Sequence, residues 1–225
     1  MTSAAPSPAE PTEPVVYEGQ FGPFTIEAED RRDVILYRIG LAIAALSFVA
    51  GLLLFLNGGD AAWSLHGLSA CYGTLWLGLG LSLWKIHIYL KPLHRLLQGF
   101  WLVGGVASFA IAHHFPEPFA QTVYEHPATL WGVGFTFAAL TGIYFKEAFC
   151  FNRLETKLLT PLVPFLLLGH LFGWWSDDLK LVMLGLWAIA FGIFALRKGI
   201  QPIPPDIGDK SVFAYLAEQR HTTAH

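Results

Sequence analysis

Five of the nine histidines, His66, His113, His114, His126 and His170, fall on one side of an alternating apolar pattern. Asp60, Glu117, Glu125, Asp177 and Asp178 share that side. Imidazole and carboxylate together suit a divalent transition metal. His113, His114 and Glu117 lie within one turn's length, and His126 follows in the same loop. Adjacent histidines do not point one way on a helix, and Pro116 and Pro118 break a regular helix there. No HExxH or CxxC spacing is present, and none of these five histidines stands in a His-x-x-x-His pair. A solvated polar loop is therefore the stronger reading of this group. His170 and, more weakly, His66 are candidates to ligate haem or chlorophyll. His170 is also placed to carry a proton or to bond a neighbouring helix.

A second set of polar residues stands inside apolar runs, where each needs a partner or a purpose. These are Arg38, Lys146, Glu147 and His170. Arg38 lies about one turn into its run and can snorkel to headgroups. Lys146 and Glu147 are neighbours, and neighbours on a helix do not face each other. Glu147 is expected to reach Arg153 or Arg38, and Lys146 to reach Glu155. A structural ion network is favoured over a proton relay. His87, Lys91 and His94 follow at i, i+4 and i+7, the spacing of one face of an interfacial helix, although Pro92 strains it. Such a strip suits lipid headgroups or an acidic partner. Catalytic triad, P-loop and dinucleotide patterns are missing, so the reading leans away from an enzyme, and the sequence requires no cofactor.

The elements that must carry these residues are membrane spans. The chain is 54% apolar and 14% charged, against about 25% charged in an average soluble domain. Uncharged runs of about 18 residues or more read as bilayer-crossing helices. Six are expected: Val34–Leu56, Ala62–Trp84, Leu96–Ala112, Leu130–Phe149, Leu158–Trp175 and Leu179–Leu196. Lysine and arginine concentrate in the 1–33 and 197–225 tails and in the 85–95 and 146–157 connections. Positive charge is retained on the cytoplasmic side. The fold class is thus an all-α membrane protein: a six-helix transmembrane bundle with both termini cytoplasmic or stromal and a short N-terminal extended strap.

The divisions follow. Residues 1–14 form an acidic, Pro-rich tail without the basic start of a signal peptide. Residues 15–33 form a membrane-surface strap, either a small hairpin about Gly22-Pro23 or an ordered coil. Residues 34–196 span the membrane, and 197–225 form a cytoplasmic tail. Pro161 and Pro164 are expected to bend the fifth span. Gly169/Gly173, Ala188/Gly192, Ser69/Gly73 and Gly104/Ser108 are small pairs that permit close helix approach. Cys71 and Cys150 are read as inert, unbridged thiols.

YEGQFGPFTI followed by DRRDVILYRIGL, and later GIYFKEAFCF with LLLGHL, resemble an uncharacterised integral membrane family of cyanobacteria and plastids. The resemblance covers about residues 17–200. It implies a photosynthetic lineage and a thylakoid or plasma membrane, with no activity and no functional residue to carry over.

The expected function is a non-enzymatic interaction or assembly partner of a larger membrane complex. Its partners are the lipid bilayer and other membrane-protein subunits, with no nucleic acid. A small transporter or channel lined by Arg38, Glu147 or His170 is the alternative. A haem- or chlorophyll-binding protein is the weaker one.

Overall fold

The computed structural model describes residues 15–223. The expected acidic tail at 1–14 lies outside them. Five helices are long and apolar enough to cross a membrane. In the element bounds these are α1 (Ala28–Gly58), α3 (Lys91–His114), α5 (Leu130–Phe151), α6 (Leu154–Leu171) and α7 (Asp177–Ile200). Helix α2 (Ala62–Lys85) has 24 residues but less apolarity, because Ser, Gly, Trp and Tyr interrupt its leucines. Several of them, Tyr72, Trp76, Gly78 and Ser82, face neighbouring helices. Short helices α4 (Phe119–Glu125), α8 (Pro204–Ile207) and α9 (Lys210–Thr223) complete the helical elements, with a 3₁₀ turn at Pro127–Thr129.

The long helices pack side by side in the order α2, α1, α7, α6, α5, α3, with α3 returning to α2. Their shared core is aromatic and aliphatic: Tyr37, Leu41, Leu79, Leu140, Tyr144, Leu159, Trp187, Phe191 and Phe194 are all buried. The large apolar side chains of the outer faces, such as Leu46, Phe109, Trp131 and Ile189, are exposed. In water that would be a liability, and in a bilayer it is what lipid requires.

Local chemistry sets the helix ends. Helix α1 starts six residues before the expected span, because the Asp30 carboxylate accepts the Glu27 amide at 2.8 Å. Helix α6 ends four residues before its expected limit. Gly173 adopts φ +68°, and the Trp174 amide returns to the Gly169 carbonyl at 2.8 Å. That left-handed turn closes the helix. Trp175 then folds back over Gly169 and donates from Nε1 to the Phe165 carbonyl at 3.0 Å. The 113–129 connection is more ordered than a plain polar loop, since α4 forms after Pro118.

Residues 16–25 form an antiparallel hairpin, β1 (Val16–Gly19) with β2 (Gly22–Thr25). The turn sits at Gln20-Phe21, two residues before the expected Gly22-Pro23, and Gly19 pairs with Gly22 to close it. Thus the hairpin form of the strap is the one adopted.

A close helix crossing joins α1 to α2. A Cβ on Gly40 would lie 2.5 Å from the Gly78 carbonyl oxygen, and one on Gly78 would lie 2.7 Å from that of Gly40. Ser82 Oγ donates to the Tyr37 carbonyl at 2.9 Å beside it. Of the expected small pairs, Gly104/Ser108 lies at such a contact: Gly104 faces Thr136 on α5, and Ser108 Oγ lies 2.6 Å from the Tyr72 hydroxyl. Gly73 and Gly192 have no neighbour within 4 Å of a Cβ. Helices α2 and α3 are clasped by stacked Trp76 and Trp101, whose indole N–H groups donate to each other's carbonyls at 3.0 and 2.8 Å.

Gly40→Ala should therefore force α1 from α2 and cost about 1–3 kcal/mol, the usual range for overpacking. Gly73→Ala should be neutral or stabilising, because helical glycine is entropically unfavourable and the added methyl meets open space. Thermal unfolding of both variants in mild detergent checks the contrast.

Candidate functional site

Of the polar residues expected in lipid, Arg38, Lys146 and Glu147 gather at the basic end, around a residue the sequence reading placed in the flanking tail. Lys198 lies in the last turn of α7. Helical side chains lean toward the helix N-terminus, so from this turn Lys198 leans back among the helices. The negative end of the helix dipole also favours a cation there. Its ammonium is 0% exposed and donates to Glu147 Oε2 at 2.5 Å. It makes a second ion pair with Asp206 Oδ1.

Each carboxylate is shared further. Glu147, also fully buried, accepts from the Tyr37 hydroxyl at 3.0 Å and from Lys146 Nζ at 2.8 Å. Asp206 comes from α8, where Pro204 and Pro205 start a single turn. Its Oδ2 accepts from Arg38 Nη2 at 2.6 Å and Nε at 2.9 Å. Gln201 Nε2 donates to Oδ1 at 3.1 Å. Arg38 also donates to the carbonyls of Gln201 and Pro202, at 2.7 and 2.9 Å. Arg153 donates to Gln201 Oε1 at 2.5 Å. The Phe151 ring lies 4.0 Å from Lys198 Nζ, a cation–π contact that spreads the positive charge. Arg197 and Glu155 pair at 2.9 Å next to the group.

The cluster differs from the expected pairings in informative ways. Lys146 and Glu147 meet although adjacent, because a four-carbon stem can curl round the helix. Glu155 takes Arg197 and not Lys146. Arg153 takes a glutamine. Arg38 does not reach out to headgroups but holds α8 against α1. Lys198 and Asp206 escaped sequence reasoning, yet one signal existed. Trp187, Phe191, Phe194 and Lys198 recur at helical spacing, and the first three are buried. A lysine continuing a buried aromatic stripe must itself enter the core.

The same end carries a folded platform. The hairpin turn donates its Gln20 amide to Asp209 Oδ2 at 2.7 Å and its Phe21 amide to Ser211 Oγ at 3.0 Å. The Gln20 amide, with the hydroxyl and amide of Ser211, holds the Asp209 carboxyl below the ordinary carboxylate range. The Asp209 amide donates to the Tyr89 hydroxyl at 2.5 Å. Burial raises that phenol above its usual value. Burial also lowers the nearby His87 imidazole. Phe21 stacks on Tyr215 at 3.9 Å, and Lys210 reaches Asp30 at 2.7 Å. A groove of about 300 Å³ runs between β2 and α9, lined among others by Phe21, Phe24, Lys210 and Tyr215. His87 lies in an extended connection and His94 Nε2 is 2.6 Å from the Leu83 carbonyl, so the expected His87–Lys91–His94 strip is not one helix face.

The opposite end holds the histidines. His170 lies in the last turn of α6, stacked on Tyr124 at 5.3 Å, with Nδ1 3.5 Å from Lys180 Nζ. Lys180 pairs with Asp177 at 2.6 Å, which accepts from the Tyr124 hydroxyl at 2.8 Å. His113 and His114 end α3. Nδ1 of the first lies 2.8 Å from the Phe109 carbonyl. The second and His126 both pack on Phe115. Glu117 Oε2 is buried without a hydrogen-bond partner among the described residues. His66 is exposed on α2. Among the described residues no three His, Cys, Asp or Glu side chains converge as a metal site. Cys71 and Cys150 are both free.

Residues 81–215 match the family described as an uncharacterized integral membrane protein, DUF2301. The match covers more than half of the chain, which belongs to that family and is an integral membrane protein. No curated protein and no solved structure matches it.

Removing Lys198 leaves two buried carboxylates short of a counter-charge. Lys198→Met should cost about 3–5 kcal/mol, the penalty for breaking a buried pair from one side. Lys198→Met with Glu147→Gln should cost less than the sum of the single variants, because the second change removes a stranded charge. A double-mutant cycle by unfolding in detergent measures the coupling.

Proposed function

We propose that the chain is a non-enzymatic interaction or assembly partner of a larger membrane complex. In this reading it crosses the bilayer six times, α2 included, with both termini on the basic, cytoplasmic or stromal face. The membrane is a thylakoid or plasma membrane, on the resemblance of the motifs alone.

One observation carries the proposal. The two chain-terminal regions at the basic end are folded onto each other and tied into the bundle by Arg38, Lys198 and Asp206. A tail that merely followed the last span would need no such anchoring. The platform leaves a usable groove between β2 and α9, lined by Phe21, Phe24, Lys210 and Tyr215. An apolar or aromatic side chain of a neighbouring subunit fits there, with an acidic group beside it for Lys210.

The transport reading draws less support. It requires a path lined by Arg38, Glu147 or His170. The first two are locked into ion pairs, and aromatic side chains fill the core between the helices. A pigment reading requires an accessible axial nitrogen on His170, but Nδ1 faces Lys180 and Nε2, although without a hydrogen-bond partner among the described residues, is buried beside the stacked Tyr124 ring.

Extraction in mild detergent followed by native electrophoresis tests the proposal. The wild type should run in an assembly of fixed stoichiometry. Phe24→Asp should release it as a smaller species, while the opposite-end variant His113→Ala should leave the assembly intact. A wild-type chain that runs alone after gentle extraction contradicts the proposal.

A further inference from the structure

A second groove lies on the outside of the bundle, where the last turns of α5 meet the first turns of α6. Its volume is about 270 Å³, and Phe145, Ala148, Phe149, Lys157, Thr160 and Pro161 line it. Phe149 is 84% exposed, so the groove faces outward and not into the core. Pro161 contributes to its shape: without an amide hydrogen it cannot bond the Lys157 carbonyl one turn back. The walls are apolar and aromatic toward the middle of the helices. The cation stands at the end nearest the basic connection.

Lys157 is the unusual member. The other cations close to it, Arg153, Lys146 and Arg197, are engaged with Gln201, Glu147 and Glu155. Lys157 is exposed and forms no salt bridge among the described residues. A membrane places lipid against this surface, and an apolar furrow ending in a single ammonium matches one lipid in shape and charge. An acyl chain fills the furrow between Phe145, Phe149 and Pro161. The phosphate then reaches Lys157 at headgroup depth, where a cation attracts anionic lipid.

We propose that this groove is a binding site for an anionic phospholipid of the leaflet at the basic end. The proposal is independent of the partner reading. It needs only α5 and α6 to stand in the bilayer, with their shared basic end at the headgroups.

The test is native mass spectrometry of the full chain in mild detergent, exposed to equal amounts of phosphatidylglycerol and phosphatidylcholine. The wild type should retain one phosphatidylglycerol in about fivefold preference, the scale of one lysine acting on an anionic lipid. Lys157→Gln should bring the two lipids level. Lys91→Gln removes an exposed cation elsewhere on the same end and should leave the preference unchanged. Ala148→Phe fills the groove and should remove the retained lipid altogether. Lys157 is exposed, so Lys157→Gln keeps the fold and decides the matter even if Ala148→Phe does not fold. Equal retention by the wild type overturns the proposal. So does a preference that survives Lys157→Gln, or one that Lys91→Gln reduces equally, which marks diffuse attraction by the whole basic face.

Discussion

An ammonium ion held away from water between two carboxylates is the constraint on which the basic end of this molecule depends. Stripping an ion of its hydration is costly, and only close, multiple contacts offset it. Lys198 meets that condition because three other chain segments converge on it. Helix α5 brings Glu147, α8 brings Asp206, and α1 brings Tyr37 and Arg38 to the far sides of those acids. Lys146 and the Phe151 ring complete the shell. Loss of one member strands the others, so the segments hold their relative positions as a unit.

The order of that unit passes outward through α8. Asp206 fixes a one-turn helix against α1, and three residues later Asp209 captures the hairpin turn. The N-terminal strap and the C-terminal tail are thereby brought to one place, although almost two hundred residues separate them along the chain. The aromatic contact of Phe21 with Tyr215 and the ion pair of Lys210 with Asp30 close the arrangement. The opposite end carries a smaller polar group among the described residues, in which Asp177 joins Tyr124 and Lys180 beside His170.

Much of the architecture was legible in the sequence because membrane spans announce themselves by composition. The uncharged runs located the long helices, and the lysine and arginine bias identified one end as basic. The misplacements have local causes. Helix α6 ran past its true end on paper because Trp174 and Trp175 are apolar, whereas a left-handed Gly173 stops the helix. The close crossing of Gly40 with Gly78 was invisible because it pairs single glycines on two helices and not a repeat on one. The cluster was half legible: Arg38, Lys146 and Glu147 stood out as polar groups in lipid. Lys198 and Asp206 did not, because a basic residue after a span and an acid in a Pro-rich tail read as solvated. Only the fold bends the tail back over the helix ends.

The most direct test of this account is hydrogen exchange on Asp206→Asn, which preserves shape and removes one charge. Exchange should accelerate strongly in residues 16–25 and 210–223, while the core helices away from the basic end keep their protection. Unchanged protection in the hairpin and α9 would contradict it, showing that the platform stands without the buried ion cluster.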